Sequence, residues 1–121
     1  MISHVKFVSI PTRDQDRAVK FWTEALGFRV LTDQPFDGTQ RWIELRVGSS
    51  DTRVVLFNFG EGGLQPGGPF NGALACDDVE RTYQELAAKG VEFESKPEKQ
   101  PWGTFAVFKD PDGNTFVLSS R

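Results

Sequence analysis

The amino-acid sequence predicts an α+β fold made of two βαβββ modules in a single domain over residues 1–121. Three observations predict it. An aspartate, an amphipathic run and a closing glycine occur twice, from Asp14 to Gly27 and from Asp77 to Gly90, 63 residues apart at both ends. Each helical run has one β-type run before it and several after it. A Gly- and Pro-rich stretch, Gly60 to Pro69, stands between the halves.

The elements follow in order. A first strand covers residues 2–10 and stops at Pro11, which has no N–H to donate. Asp14 caps a helix over residues 15–26, whose apolar face is Ala18, Phe21, Trp22 and Leu26. Gly27 ends that helix in the conformation a C-terminus favours. Residues 28–31 begin a second strand, and Pro35, Asp37 and Gly38 mark a turn. Residues 42–47 alternate as a third strand, and residues 53–58 form a fourth after the Gly48–Asp51 loop. Module one thus spans about 1–59 and module two about 71–121, with a linker over about 60–70. In module two, residues 72–76 form a strand. Asp77 or Asp78 caps a helix to about Lys89, with Val79, Tyr83 and Leu86 on one face, and Gly90 ends it. Residues 91–94 and 104–109 are strands, and Pro111-Asp112-Gly113-Asn114 turns into a last strand over 115–119. The offset of 63 also puts Arg46 on Lys109, Thr52 on Thr115 and Val54 on Val117. The helix interiors diverge, with Phe21 on Gln84 and Trp22 on Glu85.

Composition excludes several classes of function. Hydrophobic residues at 38%, with 11 Phe and 3 Trp, suffice for a core without disulfides or structural metal. A net charge of −3 with no Lys/Arg block argues against nucleic acid and anionic membranes. No apolar run has the length of a membrane span, and residues 1–7 lack the features of a signal peptide. The lone Cys76 rules out an intramolecular disulfide and points to a reduced, cytoplasmic setting.

Alternation along the strands sorts side chains into a helix-covered face and an open face. The expected covered set is Val5, Phe7, Ile43, Leu45, Val47, Val55 and Phe57, then Leu74, Cys76, Ala106, Phe108, Phe116 and Leu118. The open face keeps His4, Lys6, Val8, Trp42, Glu44, Arg46, Val54, Leu56 and Asn58, then Asn71, Ala73, Ala75, Phe105, Val107, Lys109, Val117 and Ser119. Aromatic, charged and small residues mixed in this way suit a ligand pocket better than a core or a solvated surface.

Four segments in order resemble the glyoxalase/bleomycin resistance/dioxygenase (vicinal oxygen chelate) superfamily. They are Ile2-Ser3-His4-Val5, residues 14–22 with Leu26-Gly27-Phe28, Asp77-Asp78-Val79, and residues 108–114 ending in Asp110-Pro111-Asp112-Gly113-Asn114. The resemblance covers nearly the whole chain. It implies a half-open barrel of the glyoxalase/bleomycin resistance/dihydroxybiphenyl dioxygenase-like type, a homodimer, and in many members one divalent metal that stabilises an enediolate or holds substrate oxygens. Carried over singly, the implied ligand positions are His4, Val54, Asn71 and Val117, of which only His4 matches the glyoxalase I pattern. A catalytic metal takes about three protein ligands. The expectation is therefore no metal cofactor, with a divalent ion conceivable only at an incomplete site.

Individual residues carry two readings each. His4 is a general base or residual ligand, or a hydrogen-bonded pocket residue. Glu44 is a base of raised pKa, or the ion-pair partner of Arg46, Lys6 or His4. Trp42, Trp102 and Phe105 offer stacking surfaces for a ligand, or else fill the core or a dimer interface, and Arg46 and Asn71 offer polar contacts. Cys76 reads as a buried, inert thiol, and Asp110-Pro111-Asp112-Gly113 as turn chemistry. The first functional reading is a metal-free binder of a small organic molecule. The alternative is an atypical lyase, isomerase or dioxygenase that uses His4 and Glu44, with standard glyoxalase I disfavoured.

Overall fold

Asp14 and Asp78 start the two helices by the same device: each carboxylate accepts the backbone N–H three residues on, from Arg17 and Arg81, both at 3.0 Å. The computed structural model describes residues 1–121 and forms two compact units, Met1–Pro66 and Gly67–Arg121. The first contains β1 (Phe7–Pro11), α1 (Gln15–Lys20) continued by a π-helical turn (Phe21–Ala25), β2 (Arg29–Pro35), β3 (Arg41–Arg46) and β4 (Arg53–Phe57). Its sheet has the order β1-β4-β3-β2, with β1 parallel to β4 and the other neighbours antiparallel. The second contains β5 (Pro69–Cys76), α2 (Val79–Ala88), β6 (Glu92–Phe93), β7 (Glu98–Gln100), β8 (Gly103–Lys109) and β9 (Thr115–Ser120), with the order β5-β9-β8-β6 and β7 also on β8. The expected α+β fold of two βαβββ modules is the fold observed.

The repeat is real but its offset is not constant, and each change has a physical cause. The cap Asp14 corresponds to Asp78 rather than Asp77, an offset of 64, whereas the closing glycines Gly27 and Gly90 are 63 apart. Module one therefore carries one extra residue inside its helix. The π turn absorbs it: Leu26 N–H reaches Phe21 O, five residues back, at 3.4 Å. Gly27, at φ +75°, then closes the helix, with its N–H on Thr23 O at 3.1 Å and Phe28 N–H on Trp22 O at 2.9 Å. A Cβ at Gly27 would meet nothing within 4 Å, so only the positive φ opposes a side chain there. Gly27→Ala is expected to cost about 1 kcal/mol, read as a lower urea midpoint at unchanged slope.

The second change falls in the β3–β4 hairpin. Arg46 and Arg53 are partners across six intervening residues, while Lys109 and Thr115 are partners across five. The last strands are thus offset by 62, which matches Val55, not Val54, to Val117. A shift of one residue turns a strand over. The expected faces of β3 hold, but those of β1 and β4 are reversed. Val8 and Ile10 on β1 and Val54 and Leu56 on β4 share the face of Ile43 and Leu45. Ile10, Ile43, Leu45, Val54 and Leu56 are each at most 2% exposed, as are Ala18 and Trp22 of the helical segment. Phe7, Arg53, Val55 and Phe57 lie instead on the open face with Trp42, Glu44 and Arg46.

The second unit keeps the expected faces. Ala106, Phe108, Phe116 and Leu118 are buried with Val79 and Leu86 of α2. Phe93 bridges Tyr83 at 4.8 Å and Phe108 at 5.8 Å between ring centroids. Other boundaries differ. β1 begins at Phe7, so residues 1–6 are exposed ahead of it. β2 runs through the expected turn at Pro35, where it is an edge strand able to accept proline. β5 begins at Pro69, inside the expected linker, and β7 is a strand the sequence pattern did not mark. Cys76 is half-buried rather than fully enclosed.

Residues 110–114 form a buried staple. Asp110 Oδ1 accepts the N–H groups of Asp112 at 3.0 Å and Asn114 at 2.9 Å, and Oδ2 accepts Asn114 Nδ2 at 2.9 Å. Gly113, at φ +82°, donates to Asp110 O at 3.0 Å. Asn114 Oδ1 in turn accepts Gly67 N–H at 2.8 Å, tying the last hairpin to the approach to β5.

Candidate ligand-binding site

The open face of the first sheet gathers the chemistry. Phe7 from β1, Trp42 from β3 and Phe57 from β4 share that face because of the strand register, and the Trp42 ring reaches along it to both phenylalanines. Trp42 lies 5.6 Å from Phe7 and 5.4 Å from Phe57, ring centroid to centroid. Phe36, in the β2–β3 turn, adds contacts of 6.0 Å to Trp42 and 5.0 Å to Phe57, and Phe59 stands 5.2 Å from Phe57. Phe57 is nearly buried beneath its neighbours, while Phe36 is 58% exposed. The cluster therefore presents an accessible aromatic surface on a packed base.

Glu44 anchors that surface. Its Oε2 accepts the Trp42 indole N–H at 2.7 Å, and its Oε1 accepts Arg53 Nη1 at 2.7 Å. Trp42 and Glu44 are two apart on one strand, so they share a face, and Arg53 reaches Glu44 from a diagonal position on β4. The close ion pair is with Arg53 rather than with the expected Arg46, Lys6 or His4, because β4 is turned over relative to the expected register, while the charge of Lys6 still acts on Glu44. The Arg53 bond first, and the Trp42 bond second, hold the Glu44 carboxyl below its ordinary value of 4.5, opposite to the raised pKa expected of a base. A depressed carboxyl pKa contributes stability that is present above the unfolded value and lost as pH falls through the folded one. The stability advantage of the wild type over Glu44→Gln is therefore expected to shrink from pH 6 to pH 3, as measured by urea unfolding across that range.

The other predicted residues are placed as follows. His4 lies ahead of β1, exposed, with Nδ1 3.0 Å from Ser3 Oγ. Arg46 is half-buried on the open face of the first sheet, directly between Arg29 and Arg53. Asn71 is exposed on β5, where the pairing with β9 is irregular. Trp102, 66% exposed, stacks on Phe105 at 5.5 Å and 21° in the second unit. Gly103 holds the loop close there: a Cβ on it would come within 2.5 Å of Ser120 Oγ. Phe7, Phe57, Phe36 and Arg53 were not identified from the sequence. The hairpin lengths were the available signal, since six residues against five puts Val54 and Val117, matched at the offset of 63, on opposite faces.

A second feature of the first unit is a polar cavity of about 370 Å³ near the start of α1, lined by Arg13, Gln15, Gln40, Arg41 and Asn58 among others. Its groups serve the fold. Gln15 donates to Arg41 O at 2.7 Å and Leu56 O at 2.9 Å and accepts Arg41 N–H at 3.0 Å, and Arg41 pairs with Asp16 and Asp33, both at 2.8 Å.

The Glyoxalase/Bleomycin resistance protein/Dioxygenase superfamily pattern matches residues 2–118, and the chain belongs to that superfamily. It is 35% identical to the Bacillus subtilis (strain 168) protein YetH, covering 98% of each chain. A superfamily member from Sphaerobacter thermophilus DSM 20745 superposes with a TM-score of 0.92 at 32% identity, over 99% of this chain and 98% of that one. TnmS3, an antibiotic binding protein from Streptomyces sp. CB03234, superposes with a TM-score of 0.86 at 36% identity, over 98% and 96% of the respective chains.

Of the four metal positions implied by the family, Val54 and Val117 carry no donor atom, which leaves His4 and Asn71, one short of the usual three ligands. His4 is exposed, and Val54 points into the core. The open-face positions of β4 are Arg53, Val55 and Phe57, and β9 offers Val117. Hydrocarbon has no lone pair and guanidinium is a cation, so neither can ligate. No three His, Cys, Asp or Glu side chains come together as a metal site.

Proposed function

We propose that the open face of the first sheet binds a small organic molecule with a planar aromatic part, without a metal. The observation that carries this reading is Trp42, fixed by Glu44 through its indole N–H and flanked by Phe7, Phe36 and Phe57. An aromatic ring locked in this way gives up little conformational entropy when a second ring stacks on it. The similarity to an antibiotic binding protein supports a small organic molecule as the ligand. The test is metal analysis of untagged protein, then a ligand panel followed by tryptophan fluorescence. Saturable binding by metal-free protein is the expected result, and a stoichiometric metal required for binding would contradict it.

The competing reading is a lyase, isomerase or dioxygenase that uses His4 and Glu44. It meets a carboxylate whose two oxygens are both bonded and which is held ionised. Turnover that collapses in His4→Ala or Glu44→Gln would support it, and equal rates in both variants would end it. No helix is long and apolar enough to cross a membrane. The lone cysteine supports a cytoplasmic setting. Exposed Val30 and Leu31 on the edge strand β2 support a homodimer, which sedimentation would test.

A further inference from the structure

We propose that Arg29, Arg46 and Arg53 form an oxyanion-binding row that holds an acidic group on the molecule bound against Trp42. The proposal rests on the aromatic reading above for its ligand, and on separate observations for the row. Strand register makes Arg29 the partner of Arg46 and Arg46 the partner of Arg53. Three guanidinium groups therefore leave one edge of the open face from adjacent strands. Partners of this kind lie roughly 5 Å apart at Cβ, and like charges directly opposite are destabilising.

Charge neutralisation is incomplete. Glu44 has one oxygen on Arg53 and the other on the Trp42 indole, so both are taken. Arg29 and Arg46 have no ion pair. The duplicated fold supplies an internal comparison. The corresponding positions of the second unit are Glu92, Lys109 and Thr115, where Glu92 pairs with Lys109 at 3.9 Å. One module neutralises the row and the other fills it with cations, in a chain whose net charge is −3. The architecture does not require three arginines there.

A carboxylate or phosphate provides what the row lacks, since the guanidinium fork bonds either oxyanion in bidentate fashion. Arg46 and Trp42 are four positions apart on β3, about 13 Å of strand, but the Trp42 ring leans toward the row, bonded to Glu44 and 5.6 Å from Phe7, the strand partner of Arg53. An aromatic acid can therefore stack on the ring and reach the row with its charged end.

The experiment uses biphenyl-4-carboxylate, biphenyl-4-yl phosphate, the neutral biphenyl-4-methanol, and inorganic pyrophosphate as a probe of the row alone. Calorimetry and thermal melting compare wild type with Arg46→Gln and with Arg29→Gln at the exposed edge. At least one acid is expected to bind wild type tenfold or more tighter than the alcohol, and the ratio of the two acids tells carboxylate from phosphate. In Arg46→Gln the preference falls below threefold while the alcohol's affinity is unchanged. Pyrophosphate raises the wild-type melting temperature and loses that effect in both variants. Arg46→Gln itself melts at or above the wild-type temperature, because it relieves repulsion. Equal affinity of acids and alcohol, or equal stabilisation of variant and wild type by pyrophosphate, would overturn the proposal. An alcohol that fails to bind wild type, with pyrophosphate still discriminating, would overturn the aromatic reading and support the row.

Discussion

Asp110→Ala is expected to lower the unfolding free energy by roughly 3 kcal/mol, because one carboxylate satisfies three buried donors and each left unsatisfied costs about 1–3 kcal/mol. Those donors are Asp112 N–H, Asn114 N–H and Asn114 Nδ2, and Asp110, Asp112 and Asn114 are at most 6% exposed. Loss of the staple also removes the Asp110 contacts that orient Asn114, whose Oδ1 holds Gly67. The effect is expected in the urea midpoint, together with faster amide exchange at Asp112 and Asn114. Burial raises the Asp110 pKa, against the opposing hydrogen bonds from Asn114. Its contribution therefore runs opposite in sign to that of Glu44: it is fullest below the ordinary value of 3.8 and declines as pH rises through the folded pKa. Asp110→Asn, which keeps an acceptor oxygen and carries no charge, is expected to recover part of the loss. Full stability in Asp110→Ala would show that the motif has another role.

Trp42→Ala is expected to weaken binding of a planar aromatic ligand by about ten- to a hundredfold, the scale of one stacking partner at roughly 1–3 kcal/mol. The substitution removes the ring that contacts Phe7, Phe36 and Phe57 and leaves Glu44 Oε2 without its indole donor. Trp102→Ala is the matched control. Its ring is 66% exposed and touches Phe105 in the other unit. Calorimetry on both variants separates the two surfaces: weakened binding in Trp42→Ala with unchanged binding in Trp102→Ala is the expected pattern.

The order of elements apart from β7, and the capping of both helices, were legible in the sequence because aspartate caps, closing glycines and the Asp110–Asn114 turn each carry a local physical requirement. β3 was placed on its correct face because Trp42, Glu44 and Arg46 alternate with Ile43 and Leu45. β4 was not, because Val54-Val55-Leu56-Phe57 is apolar throughout and has no alternation to orient it. Its face depends on one extra residue in the preceding hairpin, which the constant offset concealed. That single error put Val54 at a ligand position and hid Phe57 and Arg53. The π turn escaped notice for a related reason: an inserted helical residue leaves the cap and the closing glycine intact. His4 was assigned to β1 from its neighbours Ile2 and Val5, but no strand partner extends that far, and pairing starts at Phe7.

Ligand binding on the open face of the first sheet at Trp42 is read most directly by the indole signals of the protein. The protein has three tryptophans, Trp22, Trp42 and Trp102, so its indole N–H spectrum contains three signals that report the core, the aromatic face and the exposed loop. Titration of ¹⁵N-labelled protein with biphenyl-4-carboxylate is expected to shift the Trp42 signal saturably and leave Trp22 in place. A saturating titration that moves Trp102 alone, or no indole at all, would contradict it.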